Sequence, residues 1–361
     1  MALRGNSILA KKIQSKLKLF GRIGLTTAFV FVLFIRLQSA QWFEQYYSRG
    51  LYPKIANILV PFSDSFPFSL SLLFILLIFI WVIISLVISW KNRKSIFSWV
   101  QWTMDNLIAI VLLTYVLFFV LWGANYQRLT VEEQFNLANL EVTQADVESF
   151  LNRLEPILIN FNSSRDQDTA LISIKKSLKE TIESITTVNP RLPKIKQLPK
   201  GSLIRFGNSS GVSSPFLLEA HVDASLSDTF FIRVAAHELA HIAGYAGEAD
   251  AEFVSEFAVL RGPDDFARYS VALEVYISLL NKLDDDLRKN YYQALPKQVK
   301  DDIKAIYIPF KKYAAPQWFQ DLQKIAYGSY LKSQGVSAGY ADYSRDIKLL
   351  LIAYKQGYLL Q

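Results

Sequence analysis

Two long uncharged stretches in the first third of the chain have the apolar pattern of membrane-spanning helices. The clearer one runs from Phe66 to Trp90. The other runs from Asn106 to Trp122 and ends in aromatic residues of the kind found at the membrane–water interface. Because a spanning helix needs about 20 apolar residues, these stretches predict transmembrane helices at about 66–90 and 106–123.

An earlier apolar stretch, Ile23 to Ile35, is shorter and lies between Arg22 and Arg36. Snorkelling arginines extend it to spanning length, which predicts a third transmembrane helix at about 20–38. The alternative is a cleaved signal peptide, since a basic flank precedes a short apolar core. The cleavage region fits poorly, because Gln38 occupies a position that needs a small side chain. We therefore favour an uncleaved helix.

From Ala124 onward the pattern changes to that of amphipathic helices. Thr143 to Asp146 has the form of a capped helix start, and a second amphipathic run covers about 170–185. Residues 189–214 are rich in Pro, Gly, Ser and Asn and are predicted to form loops with a few short strands. The predicted fold is mainly α, with three transmembrane helices within 23–123 and a largely helical domain over 124–361.

Composition and charge agree with a membrane protein. Of the 361 residues, 51% are hydrophobic, and the mean hydropathy is positive. The net charge is +7, and residues 1–22 carry six basic and no acidic side chains. A basic block before an apolar run is typical of a cytoplasmic flank, and no basic-aromatic recognition pattern follows it. We therefore expect the lipid bilayer as a partner and no nucleic acid. The absence of cysteine excludes disulfides and thiol chemistry.

The distribution of lysine and arginine predicts the orientation in the cell membrane. Basic residues fill positions 1–22 and recur in the short loop at 91–101, whereas the loop from Leu37 to Ser65 has two basic residues offset by two acidic ones. The positive-inside rule then places the N-terminus and the 91–101 loop in the cytoplasm. Everything after about Gly123 is expected to be extracytoplasmic.

The chemistry-bearing motif is His237-Glu-Leu-Ala-His241, inside the apolar run from Phe230 to Ala243. Four residues along a helix turn its direction by about 400°, so the two imidazoles share one face and can coordinate one tetrahedral zinc ion. Glu238 projects about 100° away from His237, where a general base is needed. The alternative is a pair of core histidines satisfied by hydrogen bonds.

Helix boundaries frame this motif. Ser227 or Asp228 is the expected N-cap, and Gly244 is expected to end the helix. The residues around the motif are uncharged and none is proline, whereas a chance match on a solvated surface would normally carry charges; they are Val234, Ala235, Ala236, Leu239, Ala240 and Ile242. Polar imidazoles on an apolar helix need a partner, and a metal ion supplies one.

A catalytic zinc ion needs a third protein ligand. A second helix is predicted to begin at Glu248, in the pattern Glu248-x-x-Ala-Glu252. Zinc peptidases of the glutamate-ligand type use Glu-x-x-Ala-Asp or a close variant there. We therefore predict Glu248 as the ligand and Glu252 as a carboxylate that orients a ligand histidine. Asp250 is the second choice as ligand, and a solvated helix N-terminus is the alternative for these acids.

The sequence does not single out the residue that would donate a hydrogen bond to the oxyanion formed when a peptide carbonyl is attacked. A tyrosine or histidine usually assists in this role, and Tyr340, Tyr343 and His221 are the candidates. His221 lies just upstream of the motif helix, where zincin folds place the edge strand that pairs with extended substrate. An ordinary histidine near the cleft is the alternative for His221.

The chain resembles the bacterial "domain of unknown function 3810" membrane proteins, which are predicted zinc peptidases. The shared elements cover nearly the whole chain: Tyr47-Ser-Arg-Gly-Leu-Tyr52-Pro53, Pro67-Phe68-Ser69, Trp122-Gly-Ala-Asn125-Tyr126-Gln-Arg128, Glu219-Ala-His-Val-Asp223, His237-Glu-Leu-Ala-His241 with Gly244 and Glu248, and Tyr330-Leu-Lys332 with Gly335 and Tyr343. His221 and Glu252 stand where the family usually has asparagine. The resemblance implies a gluzincin-like (zincin) peptidase domain and no particular substrate.

The function expected from these observations is a membrane-bound, zinc-dependent peptidase in which Glu238 is the general base and His237, His241 and Glu248 bind Zn²⁺. Its partners would be the bilayer and a peptide or protein substrate. A membrane-anchored pseudoprotease or binding protein that retains the zinc site is the alternative. A transporter is disfavoured, because the two clear spans contain no charge.

Overall fold

The computed structural model describes residues 2–93, 95–334 and 345–360, with side chains from residue 19 onward. Most of the described chain is helical, which confirms the mainly α class. The first third contains α1 (Ala2–Ile35), α2 (Ala40–Trp42), a π-type helix (Phe43–Leu51), α3 (Tyr52–Asp64), α4 (Leu70–Lys91) and α5 (Ile96–Leu121).

Two of these helices, α4 and α5, are long and apolar enough to cross a membrane. The first apolar stretch differs from the prediction of a straight span at 20–38. It ends at Ile35, and the segments Leu19–Ile35 and Ala40–Asp64 form a pair bent by 112°, which gives a third span only if the pair is counted as one. α5 also begins ten residues before the predicted 106, because Ser95 forms a capping box with Ser98.

Most of residues 37–65, from Ala40 to Asp64, is helical rather than the connecting loop we expected. Ser39 caps α2 by accepting a hydrogen bond from the backbone N–H of Trp42 at 3.2 Å, and the π-type helix and α3 follow without a break. Pro53 lies at the second position of α3.

The remainder of the described chain contains the following elements: a 3₁₀ turn (Gly123–Gln127), α6 (Val131–Gln134), α7 (Gln144–Ile159), α8 (Gln167–Thr186), β1 (Ile195–Leu198), α9 (Leu203–Phe206), β2 (Gly211–Ser214), β3 (Glu219–Asp223), α10 (Asp228–Ile242), α11 (Glu248–Leu260), α12 (Asp265–Leu280), α13 (Asp285–Ala294), α14 (Lys297–Lys312), α15 (Gln317–Ser333) and α16 (Arg345–Lys355). α7 begins as predicted, with Thr143 and Asp146 in a capping box.

The three short strands form one sheet in the order β1-β3-β2. β3 pairs in parallel with β1 and antiparallel with β2, with Val212 opposite His221. The expectation that His221 lies on an edge strand is therefore wrong, since β3 is the middle strand. β2 has no second partner among the described strands, and it packs beside α10.

One apolar core joins the N-terminal helices to the later domain. Most of its buried residues come from α7, α8, α10, α11, α12 and α16. The same cluster includes Tyr52, Phe119 and Trp122 from the N-terminal part of the chain. Leu154 of α7 is an example of a fully buried side chain. Burying such a side chain contributes about 1.5–3 kcal/mol. The candidate site therefore lies on helices whose positions are fixed by packing on both sides.

Candidate metal centre

α10 carries the two histidines on one face. Its first residue is Asp228, because the Ser227 hydroxyl accepts a hydrogen bond from the N–H of Phe230. Near its carboxyl end, the Nε2 atoms of His237 and His241 lie 3.1 Å apart. This separation follows from the one-turn spacing of the two residues.

A tight turn brings the next helix back to these histidines. Gly244 has φ +97°, a left-handed conformation that strains any residue with a Cβ atom. α11 then begins at Glu248, as predicted. Glu248 Oε2 lies 3.2 Å from His237 Nε2 and 3.4 Å from His241 Nε2. These three side chains form a group that could hold a metal ion.

Each imidazole is oriented through its other ring nitrogen. Glu252 Oε2 lies 2.7 Å from Nδ1 of His237, and Arg233 pairs with the Glu252 carboxylate. Nδ1 of His241 lies 2.8 Å from the backbone carbonyl of Tyr245, so it donates a hydrogen bond there. Both contacts turn Nε2 toward Glu248, which is the arrangement that prepares histidine for metal binding.

The pKa values of His237 and Glu248 suit metal ligands, whereas, although burial acts against it, the charge of Glu248 raises the pKa of His241 to about 9, so an ion must displace a proton there. Burial lowers the pKa of His237 to about 4, which favours the neutral imidazole that ligates metals. Burial alone would raise the pKa of Glu248, but the charge of His241 and the hydrogen bonds to both histidines lower it well below its usual value. Glu248 is therefore a carboxylate.

Glu238 lies between α10 and the edge strand β2. The Ser213 hydroxyl is 2.7 Å from Oε2 of Glu238 and 2.9 Å from its backbone carbonyl oxygen. Burial raises the pKa of the Glu238 carboxyl to about 7. A Cβ atom at Gly211 would come within 2.6 Å of Oε1 of Glu238, so the strand approaches this carboxyl as closely as only glycine permits.

Three aromatic contacts at the site were not predicted from the sequence. The Tyr327 hydroxyl of α15 donates a hydrogen bond to Oε1 of Glu248. The indole N–H of Trp122 donates to the backbone carbonyl of His241 at 2.9 Å, and the Tyr52 hydroxyl donates to that of Ile242 at 2.5 Å. Trp122 and Tyr52 belong to sequence elements that the chain shares with the family it resembles, and those elements could have marked both residues as part of the site. Tyr327 lies outside those elements.

The other predicted candidates lie elsewhere. His221 contacts Ser69 through Nε2 (2.8 Å) and the carbonyl of Val212 through Nδ1 (3.1 Å), outside the group of donor atoms around Glu248. Asp250, the second choice as ligand, pairs with Arg345. Tyr340 and Tyr343 lie outside the described residues.

Glu252, Glu256 and Asp346 also approach one another closely enough to be a second possible metal group. Arg233 changes that interpretation, because it pairs with Glu252 and lies 3.9 Å from Glu256. A partly buried cation that already faces these carboxylates supplies the charge compensation a metal ion would otherwise provide. We therefore regard Glu252, paired with Arg233, as the member of this group that supports His237.

Comparison with known proteins identifies a family but no activity. A family model described as "Protein of unknown function (DUF3810)" matches residues 47–351, which is most of the chain. The matched region includes α4, α5, the sheet and both helices of the candidate metal centre. No curated protein and no solved structure matches the chain.

Proposed function

The chain therefore belongs to the DUF3810 family, and we propose that it is a membrane-bound zinc peptidase with a gluzincin-like active site. The single observation that carries the proposal is the convergence of three donor atoms from two helices. Their mutual distances are 3.1, 3.2 and 3.4 Å. Donor atoms bound to a tetrahedral zinc ion at its usual bond lengths are about 3.3 Å apart, so these residues fit the ion without rearrangement.

The composition of the donor set favours a catalytic ion over a structural one. His237, His241 and Glu248 would hold zinc and leave a fourth position open, whereas structural sites close with four protein ligands. When bound, zinc supplies a Lewis acid that makes water a nucleophile near neutral pH and polarises a carbonyl oxygen. The absence of cysteine leaves histidine and carboxylate as the available zinc ligands.

Glu238 is the residue that moves the proton in this proposal. It takes a proton from the attacking water and delivers it to the leaving nitrogen of the peptide. A pKa near 7 suits both steps, because the group must accept and release a proton at the same pH. The Ser213 hydroxyl orients Oε2, and β2 offers an edge along which an extended peptide can add as a further strand.

We also propose that α4 and α5 span the bilayer and that the metal centre is extracytoplasmic. The basic residues among the first 22 positions, which fall within α1, and those between α4 and α5 support this orientation. Because the chain has no cysteine, Ser164→Cys on the exposed surface gives a single label. An impermeant thiol reagent should modify it in intact cells. Labelling that occurs only after lysis would show that the domain has the opposite, cytoplasmic orientation.

The test uses the full-length protein purified in detergent. We expect close to one zinc ion per chain by metal analysis and cleavage of members of a peptide library by mass spectrometry. Glu238→Gln should retain zinc and reduce cleavage by about 10²–10⁴-fold, the usual contribution of general acid–base catalysis. Glu180→Gln, on the exposed face of α8, is the matched control and should behave as wild type.

Two results would contradict the proposal in different ways. Cleavage by Glu238→Gln at the wild-type rate would remove Glu238 from the mechanism. Zinc bound at one ion per chain with no cleavage of any peptide would favour a membrane-anchored binding protein that retains the site.

A further inference from the structure

We infer that the substrate is a peptide segment held at the membrane surface and cut within a few residues of the bilayer. This inference rests on the proposed function and adds a substrate class to it. Two separate parts of the site are each joined to the outer end of a different membrane helix, and these two connections carry the argument.

The first connection joins the edge strand to α4. Ser214, the last residue of β2, shares a hydrogen bond with Ser71 at 2.7 Å between their hydroxyl oxygens. Buried Glu219 of β3 accepts hydrogen bonds from the backbone N–H groups of Leu70 (3.0 Å) and Ser71 (2.8 Å), the first two residues of α4. A carboxylate at a helix N-terminus satisfies N–H groups that have no intrahelical partner.

Lys196 strengthens this connection. Its ammonium lies 2.5 Å from Glu219 and also donates to the carbonyls of Ser63 and Phe68, each at 2.8 Å. The side chains of Lys196 and Glu219 are 8% and 0% exposed. A buried pair with this many hydrogen bonds fixes its geometry, since breaking it leaves an uncompensated charge. The sheet therefore holds one position relative to the start of α4.

The second connection joins the motif helix to α5. The indole of Trp122, directly after α5, donates to the carbonyl of His241. Around this contact, aromatic rings form a continuous cluster of Phe118, Trp122, Tyr126 and Tyr330 with centroids 5.6–6.2 Å apart. Tryptophan and tyrosine concentrate at the membrane–water interface. The metal ligand His241 is thus at the level where α5 leaves the bilayer.

These connections place the reacting bond close to the membrane. Ser213 contacts Glu238 and is the neighbour of Ser214, which touches Ser71. Two hydrogen bonds and one residue step therefore separate the base from the first turn of apolar α4, a distance on the order of 10 Å. An extended peptide advances about 3.3 Å per residue. A substrate paired with β2 would thus enter the bilayer region within a few residues of its scissile bond.

The experiment is an internal competition in liposomes that contain the full-length protein. The substrate is a doubly acylated peptide that carries one cleavable sequence, taken from the library, at about 3, 12 and 24 residues from its lipid anchor. At about 3.3 Å per residue the last copy can extend roughly 80 Å from the surface. Because all three copies share one anchor, differences in surface concentration do not affect the comparison.

We expect the copy nearest the anchor to be cut about tenfold faster than the most distant one, since only that copy matches the span between bilayer and site. The same peptide without its acyl groups, in detergent, should be cut equally at all three positions. Equal cutting on liposomes, or preference for the distant copy, would overturn the inference. No cutting in either format would instead count against the proposed peptidase, and Glu238→Gln protein controls for contaminating activity.

Discussion

The contact between Glu252 and His237 can be tested by replacing Glu252 with glutamine. Glu252 Oε2 lies 2.7 Å from Nδ1 of His237, and its carboxylate also pairs with Arg233. A carboxylate on the outer nitrogen of a ligand imidazole fixes the ring and raises the basicity of the ligating nitrogen. Glutamine keeps the size of the side chain and removes its charge, so it isolates this electrostatic contribution.

The expected loss follows from comparable partners of metal-bound histidines, whose removal weakens metal binding by about 10–100-fold. That range corresponds to about 1.4–2.7 kcal/mol of binding free energy. Glu252 is only 7% exposed, and water cannot readily replace a buried charge. We therefore expect a value in the upper half of the range.

Competition with a chromogenic chelator measures the zinc dissociation constant of the purified full-length protein. Glu256→Gln is the matched control, because Glu256 also faces Arg233 (3.9 Å) but lies outside the group of side chains that contact His237. Burial and nearby Asp346 raise the pKa of Glu256 well above its usual value, so an amide resembles its favoured neutral form. Equal affinities of Glu252→Gln, Glu256→Gln and wild type would refute the role of Glu252.

Three further predictions concern separate parts of the molecule. Gly211→Ala places a Cβ atom 2.6 Å from Oε1 of Glu238 and should lower kcat with zinc content unchanged. An unchanged kcat would show that β2 can shift to accept the extra atom without displacing Glu238. Tyr327→Phe removes the donor to the ligand carboxylate and should weaken zinc binding by up to about tenfold in the same competition assay, whereas wild-type affinity would exclude that role. The hydrogen bond from Lys355 lowers the pKa of Asp146 to about 2 from about 3.8. The ionised Asp146 therefore stabilises the folded protein fully above pH ~4, and this contribution is lost as the pH falls toward 2. The difference in unfolding free energy between wild type and Asp146→Asn should therefore narrow over that interval, and a constant difference would contradict it.

Local sequence patterns predicted the two helices of the candidate metal centre well, because the relevant interactions are short-range. The spacing of His237 and His241 determines that they share a face, and Gly244 and Glu248 mark the end of one helix and the beginning of the next. The cap at Thr143 follows from the same kind of local pairing. Each of these features depends on residues within about one helical turn of one another.

The surroundings of the site could not be predicted, because they depend on contacts between distant segments. Tyr327 reaches Glu248 across 79 residues, and Ser213 reaches Glu238 across 25. The order of the strands was misjudged for the same reason. β3 follows β2 in sequence yet lies between β2 and β1, and nothing in the apolar pattern of a four- or five-residue strand identifies its neighbours.

The turn between α10 and α11 connects the N-terminal helices to the candidate metal centre. This turn sets the angle at which Glu248 meets the histidines. Arg128 donates to the carbonyl of Gly244 at 3.0 Å and forms two 2.9 Å hydrogen bonds with buried Glu44 in the π-type helix. A Cβ atom at Gly244 would lie 3.2 Å from the Tyr52 ring, so α3 also packs directly against the turn.

Glu44 and Tyr52, which precede α4, thus support the turn before the candidate ligand Glu248, about two hundred positions later. Breaking the Arg128–Glu44 pair would leave a buried charge without its partner, at a cost of about 3–5 kcal/mol. The turn that aligns α11 with α10 would be destabilised by that amount. The N-terminal helices are therefore not merely attached to an independent domain, since the π-type helix and α3, which lie between α1 and α4, support the candidate metal centre.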